Sequence, residues 1–181
     1  METLIASRRL YEGRVLNLRV DDVRLPDGRP TVREIVEHGG AVAVVALDDD
    51  DYVLLIKQYR YAVGQVLIEL PAGVLEPGED PQACAARELE EETGCRAAVF
   101  EPLVTIYPSP GYTTEIIHLF IARHLEMGTP HPEADEYIEL MRVPFTEALA
   151  MVERGEMRIC NSIAIIGLLT AARKLGVIST V

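Results

Sequence analysis

From Leu16 to Val20 the chain alternates: Leu16, Leu18 and Val20 are apolar, Asn17 and Arg19 polar. That period of two marks a strand with one buried face. Pro26-Asp27-Gly28 supplies a turn, and Thr31 to Val36 reads as a second strand, giving a small antiparallel sheet. Gly39-Gly40 interrupts the pattern and suggests a boundary between an N-terminal sheet subdomain (1–39) and a main domain (40–181). Ala41 to Leu47 is apolar throughout, as in a strand buried on both faces. Asp48 to Asp51 reads as a solvated turn into a strand from Tyr52 to Gln58. Shorter strands are expected at Val66–Leu70, Leu103–Ile106, Ile116–Ala122 and Ile138–Val143.

Helical periodicity is confined to three places. Asp80 before Pro81 offers an N-cap, good helix formers run from Gln82 to Thr93, and Gly94 ends the run. Pro144 to Arg154 and Asn161 to Lys174 read as further helices, with Asn161 as an N-cap. The last contains Ile163, Ile165, Ile166, Leu168 and Leu169, which suit burial in a core. Strands interleaved with few helices predict an α/β layer architecture with a mixed sheet.

Charge narrows the possible partners. Against 17 lysines and arginines stand 29 acidic residues, a net charge of −12. Such a chain is a poor general binder of nucleic acid or of anionic membranes, and an anionic ligand would need a cation between them. Cys84, Cys95 and Cys160 are odd in number and lack metal-type spacing, which points to thiols in a reducing compartment. No run reaches the roughly 20 apolar residues of a membrane span. Met1–Ala6 is short for a signal peptide, so a cytoplasmic location is expected.

The chemistry concentrates in the Gln82–Thr93 helix. Four glutamates fall within the five residues Glu88 to Glu92. Glu88, Glu91 and Glu92 share one face, where like charges cost a few tenths of a kcal/mol per pair. A solvated acidic face is the plain alternative. Against it stand Gly73 and Gly78, which let the preceding loop fold tightly, and Arg87, placed to orient a carboxylate such as Glu79. Oxygen ligands of this kind suit a hard cation such as Mg²⁺, which would offset the repulsion and attract phosphate.

The stretch from Gly73 to Cys95, "GVLEPGEDPQACAARELEEETGC", resembles the Nudix box, G-x5-E-x7-R-E-U-x-E-E-x-G-U, where U is bulky and aliphatic. Gly73, Glu79, Arg87, Glu88, Leu89, Glu91, Glu92 and Gly94 all fall in register, with Cys95 at the last aliphatic position. The resemblance implies a Nudix-type α/β/α sandwich with a mixed sheet, plus the small N-terminal antiparallel sheet. It also implies hydrolysis of a nucleoside diphosphate linked to another group. "IKQYRYAVGQVLIELPAG" and Pro110, 16 residues after Gly94 in "YPSPGYTTEIIHLF", are similar to the ADP-ribose pyrophosphatase branch. The expected reaction is Mg²⁺-dependent cleavage of ADP-ribose to AMP and ribose 5-phosphate, with Mn²⁺ as a possible substitute. The alternatives are another ADP-sugar or a dinucleotide as substrate, or a Nudix-fold module that binds a nucleotide without cutting it.

By the same resemblance, Glu88 and Glu92 are the main metal ligands, Glu91 a ligand or water-orienting group, and the Ala72 carbonyl a further ligand. Arg33 and Arg60 are expected to contact substrate, with Ser109 and Gly111 offering a hydroxyl and a close backbone to the terminal ribose. The base is expected on the loop "HPEADEYIEL": Glu136 is preferred, Glu133 is the runner-up, and Glu139 lies within the following strand. In this branch the N-terminal sheet is commonly exchanged across a homodimer, so a homodimer is expected. His38 and His118 have no sequence partner suggesting a ligand set and read as structural.

Overall fold

The computed structural model describes residues 1–131, 137–154 and 162–178. Its contacts divide the chain into two units, Met1–Gly40 with Tyr107–Ile117, and Ala41–Ile106 with His118–Val181. Segment 107–117 therefore groups with the N-terminal strands, although the sequence division places it in the main domain.

The first unit is a three-stranded sheet, β1 (Thr3–Glu12), β2 (Leu16–Arg24) and β3 (Pro30–His38), with β2 in the middle and both pairings antiparallel. The β2–β3 turn is closed by Gly28 N–H donating to the Leu25 carbonyl at 2.9 Å. Alternation alone missed β1. Its pairing with β2 slips at Leu4/Ala6 and again at Arg9/Tyr11. Each slip inserts an unpaired residue, and all ten residues are exposed, so no buried face imposes an apolar period of two. The segment 109–114 runs beside β3: Val36 N–H donates to the Tyr112 carbonyl, Thr114 N–H to the Val36 carbonyl, and His38 N–H to Thr114 Oγ1.

In the second unit, β4 (Ala41–Leu47), β5 (Tyr52–Arg60), β6 (Gln65–Glu69), β7 (Ala72–Val74), β8 (Arg96–Ile106), β9 (Ile117–Glu126) and β10 (Ile138–Pro144) form one mixed sheet. Its main path runs β10-β5-β4-β9-β8, with β6 paired to β5 and β7 to β4. Helix α1 (Pro81–Thr93) packs on one face, where Val42, Val44, Ala46, Cys84, Ala85, Leu89 and Phe120 form a buried cluster. Helix α2 (Phe145–Glu153) follows β10, and α3 (Ser162–Lys174) packs against β4. A Cβ on Gly167 would stand 2.6 Å from Leu70 and 3.3 Å from Val45, so α3 lies tight on the sheet. Because β4 is covered on both sides, its seven residues show no alternation. The expected α/β/α layering is borne out. Strand β8 is longer than its sequence suggests because it is an edge strand, where Pro102 is tolerated. Asn161, the expected cap of α3, lies outside the described residues.

Asp49, Asp50 and Asp51 are exposed, as expected of a solvated turn, but Asp48 is not. Asp48 accepts N–H bonds from Asp50 and Tyr52, both at 2.9 Å, and one from Arg142 Nε at 2.6 Å. Arg142 also pairs with Asp50 and lies 3.8 Å over the ring of Tyr52. The turn thus ties β10 to the β4–β5 connection.

Candidate active site

Strand β7 and helix α1 present the acidic residues. β7 pairs Ala72 with Ala43 and Gly73 with Val42, which fixes these backbones against the buried β4. After the loop 75–80, Asp80 caps α1 by accepting from Gln82 N–H at 3.0 Å and Ala83 N–H at 3.1 Å. Gly94 ends the helix at φ 73°, a left-handed conformation that glycine adopts without penalty, and its N–H caps the Glu90 carbonyl.

The helix face carrying Glu88 and Glu92 meets β7 directly. Glu92 is 2% exposed, and its Oε2 accepts the Ala72 N–H at 2.9 Å. A Cβ on Gly73 would lie 1.9 Å from Glu88 Cδ, so the Glu88 carboxylate occupies the space a side chain there would need. A glycine is required at 73 for that approach.

Arg87 organises the remaining carboxylates. Its Nε and Nη2 each lie 3.0 Å from an oxygen of Glu79, a two-pronged bond across the loop. Its Nη1 donates to Glu88 at 2.7 Å and to Glu91 at 3.1 Å. Glu79 also accepts the Glu76 N–H. The Arg87 bonds first, and that N–H second, hold the Glu79 carboxyl down at about 2. The same ion pairs, Glu79 foremost, keep Arg87 firmly charged. Burial pushes the neighbouring Cys84 thiol up to about 12, so it behaves as a core residue. Cys84 and Cys95 are both buried and free.

Ala72, Glu88, Glu91, Glu92 and Arg87 therefore converge in the second unit. Arg60 is in the same unit, and its guanidinium forks onto Glu69, which is 1% exposed, with Nη2 to Oε2 at 2.6 Å. Sequence reasoning missed Glu69; its one signal was an acidic residue in the apolar stretch before Pro71. Arg33, Ser109 and Gly111 belong to the first unit. Arg33 is paired with Glu2, and the Ser109 carbonyl accepts from Tyr112 and Thr113. Glu139 is an exposed β10 residue paired with Lys57 at 2.7 Å. Glu133 and Glu136 lie outside the described residues.

The donors suit a hard divalent cation in kind: every one is an oxygen, and one carboxylate sits in a cradle that only glycine leaves open. Among the described residues no group of three or more histidine, cysteine or acidic side chains is already arranged to hold a metal. Arg87 instead bonds to both Glu88 and Glu91. A cation there would meet two carboxylates that Arg87 already holds, each through one oxygen, Glu88 Oε1 and Glu91 Oε2.

A strand, a tight acidic loop and a helix that returns its glutamates to the strand, on an α/β/α sandwich, define the Nudix class. Residues 37–159 match the family described as NUDIX domain, and residues 2–36 match the nucleoside diphosphate sugar hydrolase N-terminal domain. The chain belongs to the Nudix family, as the box motif implied, and is a Nudix pyrophosphohydrolase. Nudix hydrolases generally use divalent metal ions.

Among its relatives, an ADP-ribose pyrophosphatase of Bacillus subtilis is 42% identical over 158 residues, covering 86% of this chain and 85% of the relative. A methanol dehydrogenase activator of Bacillus methanolicus is 41% identical, covering 91% and 89%. An ADP-ribose pyrophosphatase of Mycobacterium tuberculosis is 45% identical, covering 91% and 80%. A solved structure of an ADP compounds hydrolase superposes with a TM-score of 0.84 at 21% identity, covering 97% of this chain and 94% of that one, which supports the fold.

Proposed function

We propose that the protein hydrolyses the pyrophosphate bond of ADP-ribose, releasing AMP and ribose 5-phosphate, with Mg²⁺ as the metal and Mn²⁺ able to replace it. The observation that carries this reading is the convergence of Glu88 and Glu92 on the Ala72–Gly73 backbone. The ADP-ribose pyrophosphatases among its relatives support the choice of substrate.

Glu88, Glu92, Glu91 and the Ala72 carbonyl would hold the cation. When bound, it neutralises the phosphate oxygens and makes water a better nucleophile. That resolves the conflict between an acidic chain and an anionic substrate. Arg87 orients Glu79, Glu88 and Glu91, and so holds the acidic loop and helix in register. Arg60, oriented by Glu69, meets the diphosphate. In the first unit, Arg33 is the candidate for substrate contact, and Ser109 and Gly111 offer a hydroxyl and a close backbone to a terminal ribose. Glu136 takes the proton of the attacking water, with Glu133 as the second choice.

The functional form is a homodimer in the cytoplasm. All ten residues of β1 are exposed, including Leu4, Ile5, Leu10 and Tyr11. An edge strand that leaves four large apolar side chains exposed offers a surface for another chain. Among the described residues no helix is long and apolar enough to cross a membrane.

The test is product analysis on ADP-ribose, ADP-glucose, NADH, diadenosine polyphosphate and coenzyme A, each with Mg²⁺ and with chelator. ADP-ribose should release AMP fastest, and only with metal. Faster cleavage of another substrate would keep the hydrolase and discard ADP-ribose.

A further inference from the structure

Strand β9 ends at Glu126, and the five residues after it are fastened to the far end of α1. Met127 Sδ lies 3.2 Å from Cys95 Sγ. A Cβ on Gly128 would stand 2.5 Å from the Gly94 carbonyl oxygen. A Cβ on Gly94 would stand 2.5 Å from the Thr129 carbonyl carbon and 2.6 Å from Pro130 N. The His131 N–H then donates to the Glu91 carbonyl at 2.9 Å.

A helix end leaves its last carbonyls without partners inside the helix. Here the Glu90 carbonyl is capped locally by Gly94, and the Glu91 carbonyl by a residue 40 positions further on. Gly94 needs to be glycine for its own left-handed φ of 73°. Gly128 is not among the residues with positive φ, so the requirement at 128 is steric alone: the two backbones touch.

Of the two surfaces, the helix end is the fixed one. Glu92, Thr93 and Cys95 are 2%, 1% and 0% exposed, whereas Met127 is 60% exposed. A side chain at 128 would therefore lift the 127–131 segment and break the His131 bond, leaving α1 and its glutamates in place. In sequence, Glu133 and Glu136 follow His131 by two and five residues.

We propose that Gly128 is a positioning residue for the hydrolysis: its contact with Gly94 anchors the chain to the metal-binding helix just before the candidate base. The inference rests on the reading that the base lies in the 131–140 segment. A misplacement of about 1 Å costs on the order of a hundredfold in rate.

The test is steady-state ADP-ribose hydrolysis by Gly128→Ala, with Mn²⁺ binding measured separately by paramagnetic resonance and folding by circular dichroism. The expected result is a kcat lower by about tenfold or more, with KM and Mn²⁺ affinity within about twofold of the parent. An unchanged kcat in a folded variant would overturn the inference, as would a parallel loss of Mn²⁺ binding, which would mean that the helix itself had moved. If Gly128→Ala does not fold, His131→Pro, which removes the N–H, should lower kcat while His131→Ala, which keeps it, should not; equal behaviour of the pair overturns the proposal. Glu136→Gln and Glu133→Gln separate the two levels. Should both, and Glu139→Gln as well, keep full kcat, the base reading fails and this inference with it. Should any of them lose it while Gly128→Ala does not, the inference alone fails.

Discussion

Arg87 and Glu79 face each other across the acidic loop through two parallel bonds of 3.0 Å, although they stand eight positions apart in sequence. The same guanidinium reaches Glu88 and Glu91. One cation thus sets the positions of three carboxylates before any metal arrives. With Arg96 on Glu90 and the Ala72 N–H on Glu92, it also explains how four glutamates within five residues are tolerated on one short helix.

Replacing that cation should uncouple the loop from the helix. Arg87→Lys keeps the charge but cannot form the fork, since an ammonium is a single point charge. Its kcat for ADP-ribose is expected to fall about a hundredfold, with the circular dichroism spectrum unchanged. Steady-state kinetics on the purified variant checks this.

Gly73→Ala places a methyl group where the Glu88 carboxylate lies. The carboxylate has to move, and overpacking of this kind costs about 1–3 kcal/mol. The Mg²⁺ concentration giving half-maximal activity should rise about tenfold or more, since about 1.4 kcal/mol corresponds to a factor of ten. Metal titration of activity, with thermal melting in parallel, measures both effects.

How far the site could be read in advance follows from these residues. The box is local: its spacing, cap and terminal glycine lie within 23 consecutive residues, so the sequence displays them together. The α1 face that packs on the sheet was legible for the same reason. The Arg60–Glu69 fork was not, because it depends on β5 and β6 folding back so that Gln58 faces Leu67. Strand β1 was hidden because all ten of its residues are exposed and its pairing slips twice, so no apolar alternation marks it. Asp48 looked like one of four interchangeable acids, and only the folded chain shows that it collects two backbone N–H groups and Arg142.

Asp48 gives a pH prediction. Burial by itself would raise its pKa, but the bonds from Tyr52, Arg142 and Asp50 outweigh it and hold the folded value below the ordinary one. A depressed carboxyl adds stability above its unfolded pKa of about 3.9, and that stability is lost as pH falls through the lower folded pKa. Asp48→Asn should therefore be less stable than the parent by about 1–2 kcal/mol at pH 7. The gap should narrow below about pH 4. Urea unfolding from pH 7 to pH 3 gives the comparison.

The exposed β1 edge predicts the oligomeric state. Ile5→Lys with Leu10→Lys puts two charges on that strand, where both residues are at least half exposed. Light scattering after gel filtration should show a dimer for the parent and a monomer for the double variant. A monomeric parent would remove the dimer from the account.

The most direct test of the account is AMP release from ADP-ribose by the parent and by Glu92→Gln, each with Mg²⁺ and with chelator. Glutamine can still accept the Ala72 N–H that Glu92 accepts now, so the fold should survive. The parent should be active only with metal, and the variant should lose activity by at least about a hundredfold, the scale of several kcal/mol of metal catalysis. Near-parental turnover by Glu92→Gln, or turnover by the parent in chelator, would contradict a mechanism built on the α1 glutamates.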